Sequence, residues 1–90
     1  ETPHSFRLAK AFPNPFNPVT TISFEVPYKS NVKLEVYDIT GSKIRTLADN
    51  KFQVGYHSLS WDASNVSSGI YFIKMQSERF SEVQKLMLVK

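Results

Sequence analysis

Alternation between apolar and polar residues is the feature that most limits how this chain can fold. It is clearest in Thr21–Val26 and Val32–Val36, where every second side chain is apolar. Successive side chains of a β-strand point to opposite faces, so a period of two indicates strands with one buried face. Two later stretches, around Trp61 and around Ile73, alternate in the same way. The chain is therefore predicted to consist mostly of β-strands.

Turn-forming residues separate these segments at short intervals. Pro27 follows the first clear strand, and Asp38–Gly41 is predicted to be a tight turn with Gly41 in a left-handed conformation. Asp49-Asn50 and Ser67–Gly69 predict two further reversals. Short strands with turns about every 8–12 residues are typical of an antiparallel β-sandwich or barrel.

The two ends of the chain are less clear than its middle. A first strand is predicted around Phe6–Lys10, and Lys43–Asp49 is predicted to be a strand because it is too short for a stable isolated helix. The last strand is predicted over Val83–Val89. Its residues Leu86–Val89 are apolar at consecutive positions, so alternation does not decide which side of this strand faces the core.

Composition narrows the function classes. Ninety residues make one domain, and the absence of cysteine excludes disulfides and thiolate metal sites. No apolar run approaches the ~20 residues of a membrane-spanning helix. The net charge of +3 is scattered among acids, which argues against a nucleic-acid surface. Because the chain opens at Glu1, it is interpreted as a piece of a longer, processed protein.

A proline-rich run, Phe12–Pro18, precedes the first clear strand. Prolines lack the backbone N–H and restrict the residues before them, so a stiff, extended connector is predicted. We expect Phe12 and Phe16 to pin this connector to the sandwich, and Asn14 and Asn17 to bond to nearby backbone groups. The connector consists of Pro13, Asn14, Pro15, Phe16, Asn17 and Pro18.

These residues resemble a known family, the C-terminal sorting domains of type IX secretion. The proline-rich run followed by Thr20–Ile22 resembles the family's opening signature, and later elements follow in the family's order. Those elements are Val36–Gly41, Gly55–His57, Trp61-Asp62, Ser68–Phe72 and Lys85–Lys90. The immunoglobulin-like domain of the flagellar hook-capping protein shares the Trp-Asp and Gly-x-Tyr elements.

The resemblance implies an all-β, immunoglobulin-like antiparallel sandwich of about seven strands in a single domain. Residues 1–11 would be a linker and first-strand lead-in, and residues 12–90 the sorting domain. The implied function is non-catalytic, without cofactors. The domain directs an N-terminal passenger of the same chain through the type IX translocon to the surface or exterior. It passes through the periplasm, meets a sortase-like attachment machinery, and is expected to be monomeric.

The residues expected to matter fall into two groups. The expected sorting signal is Lys85, Leu86, Met87, Leu88, Val89 and Lys90. This segment is interpreted both as an ordinary last strand and as a strand presented to a receptor by strand addition. The expected structural motif is the connector Pro13–Pro18 together with Gly41, Trp61, Gly69 and Tyr71.

Other functions remain open at this stage. An accessory module of an extracellular enzyme, structural or carbohydrate-binding, is the main alternative, with Trp61 stacking on a sugar. Tyr37, Tyr56 and Phe72 would suit an aromatic platform if they shared a face.

Catalytic and metal sites are disfavoured by the sequence. His57 lacks ligands at suitable spacing, and adjacent strand residues such as His57 and Ser58 point to opposite faces. Asp62 with Asn65 offers too few oxygens for calcium, which favours a turn after Trp61.

Overall fold

The computed structural model describes residues 2–90, and this part of the chain forms seven β-strands in two sheets. The strands are β1 (Arg7–Leu8), β2 (Val19–Val26), β3 (Ser30–Asp38), β4 (Lys43–Phe52), β5 (Gly55–Asp62), β6 (Gly69–Ser77) and β7 (Phe80–Leu88). Every paired strand is antiparallel to its neighbour. The predicted all-β sandwich is confirmed.

The sheet topology is of immunoglobulin-like type. One sheet has the order β1-β2-β5 and the other the order β4-β3-β6-β7. In the constant-type immunoglobulin arrangement the fourth strand joins the sheet of the first, second and fifth. Here β4 pairs with β3 instead, so the second sheet has four strands.

The alternating residues form the core between the sheets. Ile22, Phe24 and Val26 of β2 are buried, as are the apolar residues of β3 and β6 that alternation placed inward. Burying apolar surface contributes roughly 25 cal/mol per Å², so this double layer supplies most of the stabilisation of folding. Leu8 and Ala11, which precede the connector, also belong to the core.

One predicted reversal is wrong. Asp49 and Asn50 lie inside β4, where they pair with Lys33 and Val32 of β3. Because β4 is an edge strand with one unpaired side, it accommodates exposed polar residues that a turn would otherwise explain. The chain instead changes sheets at residues 53–54, between β4 and β5.

The β3–β4 turn is as predicted. Gly41 has a φ of 88°, a conformation that a residue with a Cβ rarely adopts. The Asp38 carboxylate accepts hydrogen bonds from the Thr40 N–H (2.9 Å), the Thr40 hydroxyl (2.6 Å) and the Ser42 N–H (3.1 Å). These bonds stabilise the ionised form, so the pKa of Asp38 lies below its usual value, with the Thr40 hydroxyl as the main cause.

Phe6, near the start of the chain, and Lys90 lie at opposite ends of the sandwich. Phe6 packs on Tyr28 and Phe80, beside the β2–β3 and β6–β7 turns. Lys90 lies beside the β5–β6 loop, where its N–H donates to the Ser68 hydroxyl. Strand β6 runs between these two ends, and nine residues of strand span roughly 30 Å.

Candidate recognition site

The inward side of the last strand, which alternation left open, is set by its partner β6. Leu86 pairs with the buried Tyr71 and is itself fully buried, and Leu88 is 1% exposed. Met87 and Val89 are 39% and 49% exposed. The expected sorting segment is therefore split: its leucines belong to the core, and its other side chains are presented outward.

The two lysines of this segment differ in their surroundings. Lys85 is exposed on the outer face, opposite Phe72 of β6. Lys90 is tied to the β5–β6 loop, since its ammonium group donates to the Ser64 carbonyl at 2.9 Å. Lys85 is thus free to contact a partner, whereas Lys90 also holds the strand end in place.

The connector packs directly against this last strand. The Phe16 N–H donates to the Met87 carbonyl, and the Val89 N–H donates to the Phe16 carbonyl, both at 2.9 Å. These two bonds form a parallel bridge between Phe16 and Leu88. The Phe16 ring is 2% exposed and lies 5.5 Å from the Trp61 ring, centroid to centroid. Phe16 pins the connector as expected.

Phe12 does not pin the connector, and that part of the prediction is wrong. Its side chain is 78% exposed. Its backbone forms a bridge with Thr21, donating and accepting hydrogen bonds of 3.1 and 3.0 Å. Because this bridge places residue 12 on the outer side of β2, its ring points away from the core.

The two asparagines of the connector have different roles. The Asn14 side-chain amide donates to the Lys85 carbonyl, and its oxygen accepts from the Met87 N–H, both at 3.0 Å. Asn14 therefore bonds to backbone groups, as expected, and those groups belong to the last strand. Asn17 is exposed and makes no side-chain hydrogen bond within the described part of the chain.

Together, Asn14 and Phe16 cover the outer edge of β7 from Lys85 to Val89. The bonded groups are the Lys85 carbonyl, both backbone groups of Met87, and the Val89 N–H. Strand addition requires these same groups to be free. A receptor strand would have to displace the connector before it could pair here.

Two polar residues of β7 were missed by sequence reasoning. The Gln84 side chain accepts from the Ala11 N–H at 2.6 Å and donates to the Ala9 carbonyl at 2.7 Å. The Leu8 N–H donates to Glu82 at 3.4 Å. Once Leu86 and Leu88 are known to be inward, Gln84 falls on the same side by alternation, where an amide needs partners.

The remaining motif residues have structural positions. Trp61 is 2% exposed, between Phe16 and Tyr71, whose ring lies 5.6 Å away edge-on. The Tyr71 hydroxyl donates to the Ser67 carbonyl, and Gly69 begins β6. No sugar can stack on a tryptophan buried in this way, which removes the feature that suggested carbohydrate binding.

The histidine and serine of β5 are both used within the fold. His57 stacks on Phe24, lies edge-on to Phe52, and bonds through Nε2 to the Gln53 carbonyl at 2.8 Å. The Ser58 hydroxyl lies on the other side of the strand, 3.2 Å from that of Ser23. The two side chains are not brought together.

The segment after Trp61 is a turn, as predicted. Both the N–H and the hydroxyl of Ser64 donate to the Asp62 carboxylate. These bonds hold the pKa of Asp62 below its usual value, the hydroxyl being the main cause. Residues 2–90 contain no group of three or more His, Cys, Asp or Glu placed to hold a metal ion. In the same range, no helix is long and apolar enough to cross a membrane.

Comparison with known proteins gives one match, and it spans most of the chain. Residues 10–90 match the family described as the secretion system C-terminal sorting domain. Neither the curated proteins nor the solved structures include a match. The match contains the proline-rich connector and strands β2 to β7, including the terminal strand, in one continuous stretch. This chain belongs to the family of secretion system C-terminal sorting domains.

Proposed function

We propose that the domain directs a passenger, which precedes it on the same polypeptide, through the type IX secretion machinery to the cell surface or exterior. The observation that carries this proposal is the family match over residues 10–90. Its proposed partners are the translocon and the sortase-like attachment machinery, and the domain itself acts as a monomer.

The geometry supports such a role because it separates the two tasks. The passenger side enters beside Phe6, Tyr28 and Phe80, whereas the expected sorting segment ends beside Ser64 and Ser68. A folded passenger at the first end leaves the other end uncovered. The sandwich thus serves as a spacer roughly 30 Å long between cargo and signal.

We further propose that the domain is non-catalytic. The side chains that could take part in catalysis are engaged in structural contacts. His57 contacts the Gln53 carbonyl and two aromatic rings, and Asp62 accepts hydrogen bonds from Ser64. Their partners maintain turns and strand packing. This pattern supports a structural and recognition role for the whole surface.

The test is export of a folded reporter fused ahead of residue 1 in a type IX-competent bacterium. We expect the fusion on the surface or in the medium, and in the periplasm of a matched strain lacking the translocon. The reporter without the domain is the control. Equal export from both strains, or none from either, would contradict the proposal.

Deletion of the last six residues is a poor variant for this test. It would remove Leu86 and Leu88 from the core, and each buried leucine contributes about 2–5 kcal/mol. Loss of export would then report unfolding. Substitutions on the outward side of the same segment avoid this problem.

A further inference from the structure

The outer face of strands β6 and β7 combines apolar side chains with an excess of positive charge. Phe72 lies opposite Lys85, and Ile70 lies opposite Met87. The alternate residues Tyr71, Ile73 and Leu86 are buried, so these side chains point outward. We call this surface the β6–β7 outer face; its residues are Ile70, Phe72, Lys74, Gln76, Ser81, Val83, Lys85 and Met87.

The charge on this face has one sign. It contains Lys74 and Lys85 and no acidic residue. On the adjoining strand β3, Glu35 lies directly opposite Lys74 and accepts from the Tyr37 hydroxyl at 2.7 Å and from the Lys43 ammonium at 3.3 Å. The Tyr37 bond, then Lys43, keeps the pKa of Glu35 low. Glu35 is therefore already provided with partners on its own side.

The apolar centre of the face is recessed. A shallow depression of about 350 Å³ is lined by Tyr37, Ile39, Phe72, Lys74 and Val83, together with Asp38 and Gly41 near the β3–β4 turn. The Asp38 carboxylate there is bonded to Thr40 and Ser42. Ile39 and Val83 are 71% and 55% exposed. Tyr37 and Phe72 are cross-strand partners, so two of the three aromatics of the suggested platform share this face.

The outer face of the other sheet is different. The third aromatic, Tyr56, lies there, among small hydroxyl residues such as Ser23 and Ser58. Its nearest charges, Arg7 and Glu25, pair with each other at 3.2 Å. Besides this pair, β5 carries the acidic Asp62 on that face.

We propose that the β6–β7 outer face binds an acidic protein surface that inserts an apolar side chain into the depression. Protein interfaces favour an aromatic- and methionine-rich centre with charges at the rim, which Phe72, Met87, Lys74 and Lys85 provide. Two lysines contribute only about 1 kcal/mol each toward an anionic membrane, too little for stable attachment.

This inference rests on the proposed function and deepens it, because the partner is then a component of the secretion machinery. Lys85 and Met87 belong to the expected sorting segment, whereas Phe72 and Lys74 lie on β6. The recognised unit is accordingly a folded surface built from two strands. An unfolded peptide of the same residues would not present it.

The test uses two variants in the reporter fusion, Lys85→Glu and Met87→Ser. Lys85→Glu places a negative charge opposite an acidic rim and should lower export about tenfold or more, since each 1.4 kcal/mol of lost binding free energy lowers the affinity tenfold. Met87→Ser should lower it less. The matched controls are Lys29→Glu, an exposed lysine in the β2–β3 turn, and Val54→Ser, a 43%-exposed residue between β4 and β5. Both controls should be exported like the parent domain.

The outcomes separate this inference from the proposed function. Export of the parent fusion with unchanged export of both variants overturns the inference and leaves the proposed function standing. Failure of the parent fusion overturns both. Urea denaturation is used to check that both variants have the same free energy of unfolding as the parent domain. A Lys85→Glu domain that folds normally but is not exported supports the inference. Binding of the parent domain to phosphatidylglycerol vesicles that Lys85→Glu abolishes would assign a membrane partner and overturn it.

Discussion

The four-stranded sheet ends in two edge strands that are protected in different ways. At β4, exposed charged residues line the strand, and its pairing with β3 shifts register after Leu34 and after Val36. At β7, the backbone edge from Lys85 to Val89 is bonded to Asn14 and Phe16. Charges and irregular pairing discourage a foreign strand from adding to β4, whereas a segment of the chain itself occupies β7.

The covered edge of β7 shows how an apolar terminal strand can present side chains without pairing with foreign strands. An apolar strand with a free edge pairs indiscriminately. Covering the edge with the connector leaves only side chains for a partner to contact. In the proposed site those side chains include Lys85 and Met87, which face outward from a strand whose backbone is already paired.

The protection of the β7 edge depends on Phe16, which holds the connector to the strand. Phe16→Ala should destabilise the domain by about 3–5 kcal/mol, because it removes a buried ring packed on Trp61. Phe12→Ala, at an exposed ring, should change the free energy of unfolding by less than about 0.5 kcal/mol. Urea denaturation of both variants measures this. Equal effects would mean that Phe12 and Phe16 share the anchoring role.

The division of the last strand into an inner and an outer side can be tested at adjacent residues. Leu86→Ala should cost about 2–5 kcal/mol through the lost burial and the cavity it leaves. Met87→Ala should cost about 0.5 kcal/mol or less, since Met87 faces solvent. Thermal and urea unfolding give both values. A larger loss at Met87 would place the opposite side of β7 in the core.

These two pairs of residues also show how far the sequence could predict the structure. Alternation assigned the inward faces of β2, β3 and β6 because polar residues marked the outer side. At Leu86–Val89 no polar residue interrupts the run, and only pairing with Tyr71 determines which side is buried. Phe12 and Phe16 both adjoin prolines, so local pattern could not separate the exposed ring from the buried one.

The covering of β7 could not be predicted from the sequence for a related reason. It joins Asn14 and Phe16 to residues more than 70 positions later, through backbone groups that have no sequence signature. The reversal misplaced at Asp49-Asn50 has a similar origin, because polar residues indicate solvent exposure equally well in a turn and on an edge strand. The candidate site was thus predicted as a segment, and its geometry came from tertiary pairing.

The side-chain cover of β7 can be weakened without disturbing the core. Asn14→Ala should cost about 0.5–1.5 kcal/mol, because two hydrogen bonds to the strand edge are replaced by bonds to water. Asn17→Ala is the matched control in the same connector and should be near neutral. Hydrogen exchange provides the local readout: the Met87 amide should lose protection in Asn14→Ala only. Unchanged exchange at Met87 would show that Phe16 alone closes the edge.

Lowering the pH should weaken the β4 edge before the β7 edge, and this is the smallest of the expected effects. Glu35 and Asp38 support the β4 side, and their pKa values lie below the ordinary 4.5 and 3.8. The unfolded chain therefore binds protons at higher pH than the folded one, so their stabilisation is present above about pH 4.5 and is lost as the pH falls through the lowered values. The β7 edge depends on an amide and on backbone groups, which do not titrate.

We accordingly expect hydrogen-exchange protection factors, corrected for the intrinsic effect of pH, to fall first in β4 as the pH falls below about 4.5. The Met87 and Val89 amides should keep their protection until the whole domain unfolds. Asp38→Asn should weaken the pH dependence at β4, because the amide oxygen can still accept in the turn but no longer titrates. Simultaneous loss at both edges would mean that they open as one cooperative unit, and that the connector and the charged strand protect the sheet together.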